Sequence, residues 1–267
     1  MTQAIAVERA NMGFQHDLLR ETGNNLVTAV KTALAAMGFN SVVDSDELVQ
    51  PGERRREDLQ IHDRSPVLLV EIKGIAGLPP EHDAIQVGKY VAPRMKEWNR
   101  TDVAGLSIVN HQRNLPGLER DPAPFSNDVI TNALDQGLGL LTAWDLFRLI
   151  RNFLQLRWKP DYVQSLFYTP GRIDAVPTHY ELAGEVEHYW DRVGVVGIRI
   201  TDASLHPGDR IAFQLPVDYF EQEVASLEVE RQPVNEAPVG MLAGVKTQLP
   251  KGDARKGVRV FRIKRRD

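Results

Sequence analysis

The 267-residue chain has no cysteine, which excludes disulfide scaffolds, thiolate zinc sites and cysteine nucleophiles together. That absence agrees with a reducing compartment. Long apolar runs are missing too. Stretches such as Val67–Val70 and Leu138–Leu141 fall far short of the roughly 20 residues that cross a bilayer, so no membrane partner is expected. The opening Met-Thr-Gln-Ala-Ile-Ala-Val-Glu lacks the basic-then-apolar order of a secretory signal, and the expectation is a cytoplasmic protein. There is no excess of positive charge: 32 Lys and Arg face 36 Asp and Glu, for a net charge of -4. Any nucleic-acid contact must therefore come from a local basic patch. The histidines at 62, 82, 111, 179, 188 and 206 form no His-x-x-x-His pair, so no zinc site is expected. No Gly-x-x-x-x-Gly-Lys-Ser/Thr loop occurs, and Ser65, Ser107, Ser126 and Ser165 lack a Gly-x-Ser-x-Gly setting. Nucleotide-driven motors and the usual serine hydrolases drop out.

What is present is an ordinary globular composition, 42% apolar and 25% charged, at a length that accommodates two domains. Helical spacing of Leu18, Leu19, Leu26, Val27, Val30, Leu34 and Met37 predicts helix on both sides of a turn at Gly23-Asn24-Asn25. Strands follow at Phe39–Asp44, Asp58–Ile61 and Pro66–Lys73, the last apolar on both faces and so central and covered. Asp83 is placed to cap a helix that Pro93 ends or kinks. Strands at Ala104–Asn110 and Leu138–Leu141 alternate with helices from Asn127 and from a Thr142-x-x-Asp145 capping box. The order predicts an α/β sandwich with a mixed sheet over residues 1–158. Residues 159–180, with Pro160, Pro170, Gly171 and Pro177, read as a linker. From 181 to 267 short strands alternate with turns such as Pro207-Gly208-Asp209, which predicts a small closed β-barrel.

Chemistry concentrates between Asp58 and Tyr90. Glu71 and Lys73 are two apart on a strand and share a face, with Ile72 pointing the other way. A hairpin would bring Asp58 beside Glu71. Two carboxylates and the Ile72 carbonyl are the oxygen-rich set that Mg²⁺ or Mn²⁺ prefers. A lysine beside such an ion can orient the attacking water or offset transition-state charge. Gln86 and Tyr90, four apart, would share one helical face. The alternative stays open that Glu71 and Lys73 are two solvated side chains. Arg54, Arg55 and Arg56 precede Asp58 and could clamp a phosphodiester, or simply form a solvated turn.

Asp58, Glu71-Ile72-Lys73 and Gln86-Val-Gly-Lys-Tyr90, in that order, resemble the PD-(D/E)xK nuclease superfamily. The match is to its RecB-type exonuclease branch, over about residues 12–156 in element order. The resemblance implies a restriction-endonuclease-like α/β/α core that hydrolyses DNA or RNA phosphodiesters with a divalent metal. Asp58, Glu71 and Lys73 would be catalytic, with Gln86 and Tyr90 in support. Many relatives carry a carboxylate or histidine on the first helix, where this chain has Val27. Glu21 or His16 could substitute, or Asn25 contribute; equally, Glu21 could merely cap the helix. A nuclease fold without activity, serving to bind nucleic acid, therefore stands as an alternative.

Gly184–Tyr189, Gly194–Ile200, Leu205-His-Pro-Gly-Asp-Arg-Ile211 and Glu221–Pro233 resemble the second domain of elongation factor Tu. That resemblance implies RNA contact, and a tRNA- or translation-associated binding role is a further alternative. Basic residues at 251, 255, 256, 259, 262, 264, 265 and 266 form either a phosphate-binding edge or a charged edge strand that resists aggregation. Nucleic-acid type, polarity and specificity are not legible. Nor is oligomeric state, a homodimer being one option.

Overall fold

In the computed structural model, which describes residues 13–49, 52 and 55–264, the chain divides into two units, Met1–Val176 and Pro177–Asp267. The first begins with helix α1 (13–20), followed by α2 (Gly23–Ala36). Gly23, the first residue of α2, takes a left-handed φ of +54° that glycine adopts without steric cost. Asn24 and Asn25 lie inside α2, whose face of Leu26, Val27, Val30 and Leu34 is buried.

Strands β1 (Val42–Asp44), β2 (Leu59–Ile61), β3 (Val67–Gly74), β4 (Val103–Asn110), β5 (Leu138–Thr142) and β6 (Gly171–Arg172) form one sheet in that order. β1, β2 and β3 pair antiparallel, and β3 to β6 pair parallel. The mixed sheet is as expected. Alternation along β3 explains its apolar run. Leu69 joins a core with Val109, Leu138 and Leu140 beneath residues of α3 (Glu81–Ala84), α4 (Gly88–Glu97) and α5 (Asn127–Asp135). Leu68, Val70 and Ile72 point to the other face and are buried as well. There α2 packs on β3, and α6 (Ala143–Leu156) packs on β4, β5 and α2. The N-cap half of the box forms: the Thr142 hydroxyl accepts the Asp145 amide hydrogen at 3.0 Å and donates to the Asp145 carboxylate at 2.7 Å.

Two expectations are corrected here. The helix expected from Asp83 to Ala92 is split into α3 and α4, and Pro93 lies inside α4 rather than ending it. Its missing N–H forfeits only the bond to the Lys89 carbonyl in the first turn, while Trp98 still bonds to Arg94. Residues 159–176, expected within a linker, carry α7 (Asp161–Gln164), a 3₁₀ turn at Ser165–Tyr168 and β6, which pairs with β5. Phe167 anchors them, buried edge-on against Phe39 at 5.3 Å.

The second unit holds β7 (Tyr180–Trp190), β8 (Val195–Ile200), β9 (Arg210–Gln214), β10 (Tyr219–Glu223), β11 (Leu227–Val229), β12 (Gln232–Pro233), β13 (Leu242–Lys246) and β14 (Arg259–Ile263). They make one antiparallel sheet in the order β10-β9-β14-β7-β8-β13-β11-β12. Within Glu221–Pro233, β10 ends at Glu223, β11 covers Leu227–Val229 and β12 Gln232–Pro233. Among the described residues the ladder runs from β10 to β12 with no pairing between those edges, so the expected closure is not made by a ladder. The sheet nonetheless curls on itself. Gln222 of β10 donates to the Lys246 carbonyl at 2.8 Å and accepts from Thr247 at 2.6 Å, beside the end of β13. Phe213, Val196, Ile198, Val245 and Val260 fill the concave core. Among the described residues no helix is long and apolar enough to cross a membrane.

Candidate functional site

The β2–β3 register pairs Leu59 with Val70, and Asp58, the residue just before β2, is fastened to β3 on both sides of Glu71. The Asp58 amide donates to the Val70 carbonyl at 2.9 Å, and the Asp58 carboxylate accepts the Ile72 amide hydrogen at 2.7 Å. Val70 and Ile72 therefore turn their peptides toward the same strand edge. The Ile72 carbonyl lies on that edge, beyond the end of β2.

Glu71 is 3% exposed. Its Oε1 receives two donors, Lys73 Nζ at 2.8 Å and Gln86 Nε2 at 2.5 Å. Its Oε2 has no hydrogen-bond partner, and neither has the buried hydroxyl of Ser107, which faces Glu71 across the β3–β4 register. The electrostatics follow from burial. Desolvation, with the Glu71 charge second, pushes the Asp58 carboxyl up to about 7, against the lowering effect of the Ile72 amide and Lys73. Burial also raises Glu71, although Lys73 opposes it. For Lys73 burial is the largest influence and acts downward, but the bond to Glu71 and its charge outweigh it, so the ammonium is held above its ordinary value.

Gln86 occupies the turn between α3 and α4, not a helix, yet its amide reaches both Glu71 and, at 3.5 Å, the Tyr90 hydroxyl. Tyr90 thus joins the site one bond removed. Glu21 lies between α1 and α2, where its carboxylate accepts from Asn25 at 3.1 Å and its carbonyl accepts from Asn110. The next residue, Thr22, donates to the Gly74 carbonyl at 3.3 Å, so this junction abuts the end of the Glu-x-Lys strand. Val27 is buried in the core. Of the three arginines, Arg54 lies outside the described residues. Arg55 pairs with Asp46 and Arg56 with Glu97, at 2.8 and 2.6 Å.

Sequence reading missed Glu57. It is buried beside the site, and its Oε1 accepts from Arg94 at 2.7 and 2.9 Å and from Gln60 at 2.8 Å. Adjacent acidic residues in Glu57-Asp58 point to opposite faces of a regular strand, so nothing in the pattern singles it out. The residue lies before β2 begins, where alternation does not hold.

Asp58, Glu71 and the Ile72 carbonyl are the groups able to hold a hard cation, and the unpartnered Glu71 Oε2 suits one such ion. Among the described residues no three histidine or acidic side chains come together as a ligand set, so Asp58 and Glu71 have no third such side chain beside them. In the second unit several basic residues of the last segment meet carboxylates. Lys251 pairs with Asp191, and Arg262 and Lys264 meet Glu181; Arg265 and Arg266 lie outside the described residues.

No protein-family profile matches the chain, and no curated protein sequence matches it. Among solved structures, the C-terminal domain of a protein described as a U32 peptidase from Geobacillus thermoleovorans is similar at 20% identity, over 32% of this chain and 93% of that one, with a TM-score of 0.28. A bacterial selenocysteine-specific elongation factor matches at 11% identity over 73% of this chain and 31% of that one, with a TM-score of 0.27. The elongation factor SelB of Methanococcus maripaludis matches at 12% identity over 74% and 40% respectively, with a TM-score of 0.26. At these scores the likeness assigns the chain neither a family nor a function.

Proposed function

We propose that the first unit is a divalent-cation-dependent phosphodiesterase acting on DNA or RNA, built on a restriction-endonuclease-like core, and that the second is a small β-barrel-like module that aids binding. One observation carries the reading: Lys73 and Gln86 converge on a single oxygen of the buried Glu71, while the Asp58 carboxylate is tied to the amide of the next residue, Ile72.

Asp58, Glu71 and the Ile72 carbonyl would hold Mg²⁺ or Mn²⁺, which when bound supplies Lewis acidity toward a phosphate oxygen. Lys73 keeps its proton under the influence of Glu71 and so places a positive charge where the phosphoryl oxygens gain negative charge. Gln86 fixes the Glu71 rotamer, leaving Oε2 free to face the site. Water adds its oxygen to phosphorus, the P–O ester bond breaks, and the proton released ends on the leaving oxygen.

A second reading has its own support. Val27 is buried where relatives would offer a ligand, and no three-ligand set forms among the described residues. The chain would then bind nucleic acid without cutting it, tRNA included if the elongation-factor-like second unit sets the partner. Incubating the full chain with plasmid, single-stranded DNA and tRNA, with and without Mg²⁺ or Mn²⁺, separates the two. Metal-dependent cleavage that Glu71→Gln abolishes is the expected result. Binding in Ca²⁺ with no cleavage of any substrate moves the assignment to the second reading.

A further inference from the structure

A cavity of about 410 Å³ opens beside the carboxylate site, lined among others by Ser45, Arg56, Gln60, Arg94, Glu97 and Trp98. The mechanism above does not use it. We propose that it receives an unstacked nucleobase of the nucleic acid whose phosphate lies at Asp58 and Glu71, a subsite that rests on the reading of this unit as a nucleic-acid enzyme or binder.

Position is the first argument. Glu57, the residue just before Asp58, is bonded by two residues that line the cavity, Gln60 at 2.8 Å and Arg94 at 2.7 Å, which sets the cavity next to the carboxylate site. Arg94 follows Tyr90 by four residues on α4, so its side chain projects from the same side of that helix. The volume falls within the roughly 300–1,000 Å³ of small-ligand sites.

Charge is the second argument, and it decides what kind of group fits. Arg94 is spent on Glu57 and Glu97, at 2.7 and 2.9 Å, and Arg56 on Glu97 at 2.6 Å. Two cations facing two carboxylates leave no net charge to hold a phosphate. A neutral planar group is therefore the better occupant. The wall provides for it: Trp98 lines the cavity, with the Arg94 guanidinium 5.3 Å from its ring centroid and the His62 ring at 5.9 Å. Flat aromatic and guanidinium surfaces are what unstacked bases pack on. Gln60 is spent on Glu57 through Nε2 and on His62 through Oε1, whereas the Ser45 hydroxyl, which donates to Glu57, keeps its lone pairs for a base edge.

The test is a binding cycle in Ca²⁺ with single-stranded decamers carrying one abasic site moved through each position. Wild type should lose about 5- to 100-fold in affinity at one position, the usual worth of one stacked base. Trp98→Ala should lose a similar factor on the intact decamer and become indifferent to the abasic site, while Trp98→Phe restores most of both. Thermal melts of each variant establish that the unit is folded. Equal sensitivity of wild type and Trp98→Ala to base removal overturns the subsite, as does absence of binding by any decamer. Metal-dependent cleavage unchanged in KM by Trp98→Ala also overturns it and leaves the nuclease reading standing. A Trp98-dependent base effect in a protein that never cleaves keeps the subsite and removes the nuclease.

Discussion

The Asp58 carboxylate is tied to the Ile72 amide at 2.7 Å, across a strand boundary and beside Glu71. One peptide hydrogen thus holds a carboxylate where both burial and a neighbouring negative charge oppose its ionisation. A bond of this kind to a charged acceptor contributes about 1.5–3 kcal/mol. It offsets part of the cost of ionising Asp58 there without removing it.

That arrangement predicts a pH dependence of stability. In the folded chain the Asp58 carboxyl is raised to about 7 from 3.8, so between those values the native state holds a proton that the unfolded chain has released. Stability therefore falls as pH rises through this window and levels off above it. Asp58→Asn keeps an acceptor for the Ile72 amide and removes the charge. The variant should match wild type near pH 4 and exceed it at pH 8, by an amount on the order of 3 kcal/mol. Urea denaturation of the two proteins at both pH values measures the difference. A variant no more stable than wild type at pH 8 sinks the claim.

Lys73 and Gln86 share one oxygen of Glu71, so their removal should have different consequences. Lys73→Ala takes away the cation, and cleavage should drop by roughly 10²–10³-fold with little change in substrate binding in Ca²⁺. It also leaves Glu71 with one partner, at a cost of about 1–3 kcal/mol that a second change, Glu71→Gln, should largely restore. Gln86→Ala should spare more of the rate, since it loosens the Glu71 rotamer without removing charge. If Lys73→Ala cleaves as fast as wild type, the lysine has no part at the transition state.

The strand bearing this site was legible because Val67–Val70 is apolar on both faces, and only a covered strand needs that. Period-two spacing then placed Glu71 and Lys73 together, as found. Gln86 and Tyr90 were legible as a pair but not as a helix face, because the turn between α3 and α4 interrupts the expected helix. Glu57 and Ser107 were invisible for a physical reason. Their importance lies in register and burial, which no spacing rule encodes. The segment after Trp158 misled in the opposite direction: Pro160 and Pro170 look like linker residues, yet a single buried aromatic, Phe167, fastens the stretch to the sheet. Ladder closure of the second sheet was likewise not readable, since strand number and spacing do not reveal whether the last edges pair.

The buried pair of Glu57 and Arg94 supports the next prediction. The Glu57 side chain is fully buried and that of Arg94 14% exposed. Removing the guanidinium alone strands a buried carboxylate, so Arg94→Ala should cost about 3–5 kcal/mol. The double variant Glu57→Gln with Arg94→Met removes both charges and should regain most of that loss. Chemical denaturation of the two variants checks it, and a double variant no better than Arg94→Ala refutes the pairing as the cause.

The last prediction concerns the second unit and rests on a close backbone approach. A Cβ built on Gly184 would lie 1.9 Å from the Arg199 carbonyl oxygen, in the ladder that joins β7 to β8. The obstacle is backbone in a paired strand, not the end of a flexible side chain. Relief requires shifting β7, which is also paired with β14 on its other edge. Gly184→Ala should therefore destabilise this unit by more than about 3 kcal/mol, at the severe end of single substitutions. Gly252→Ala is the matched control, since its Cβ would meet nothing within 4 Å, and it should stay within about 0.5 kcal/mol of wild type. Melting followed by fluorescence of Trp190, in proteins with the other three tryptophans replaced by phenylalanine, reads the second unit alone. A Gly184→Ala transition at the wild-type temperature would show that β7 and β8 are not packed as closely as described.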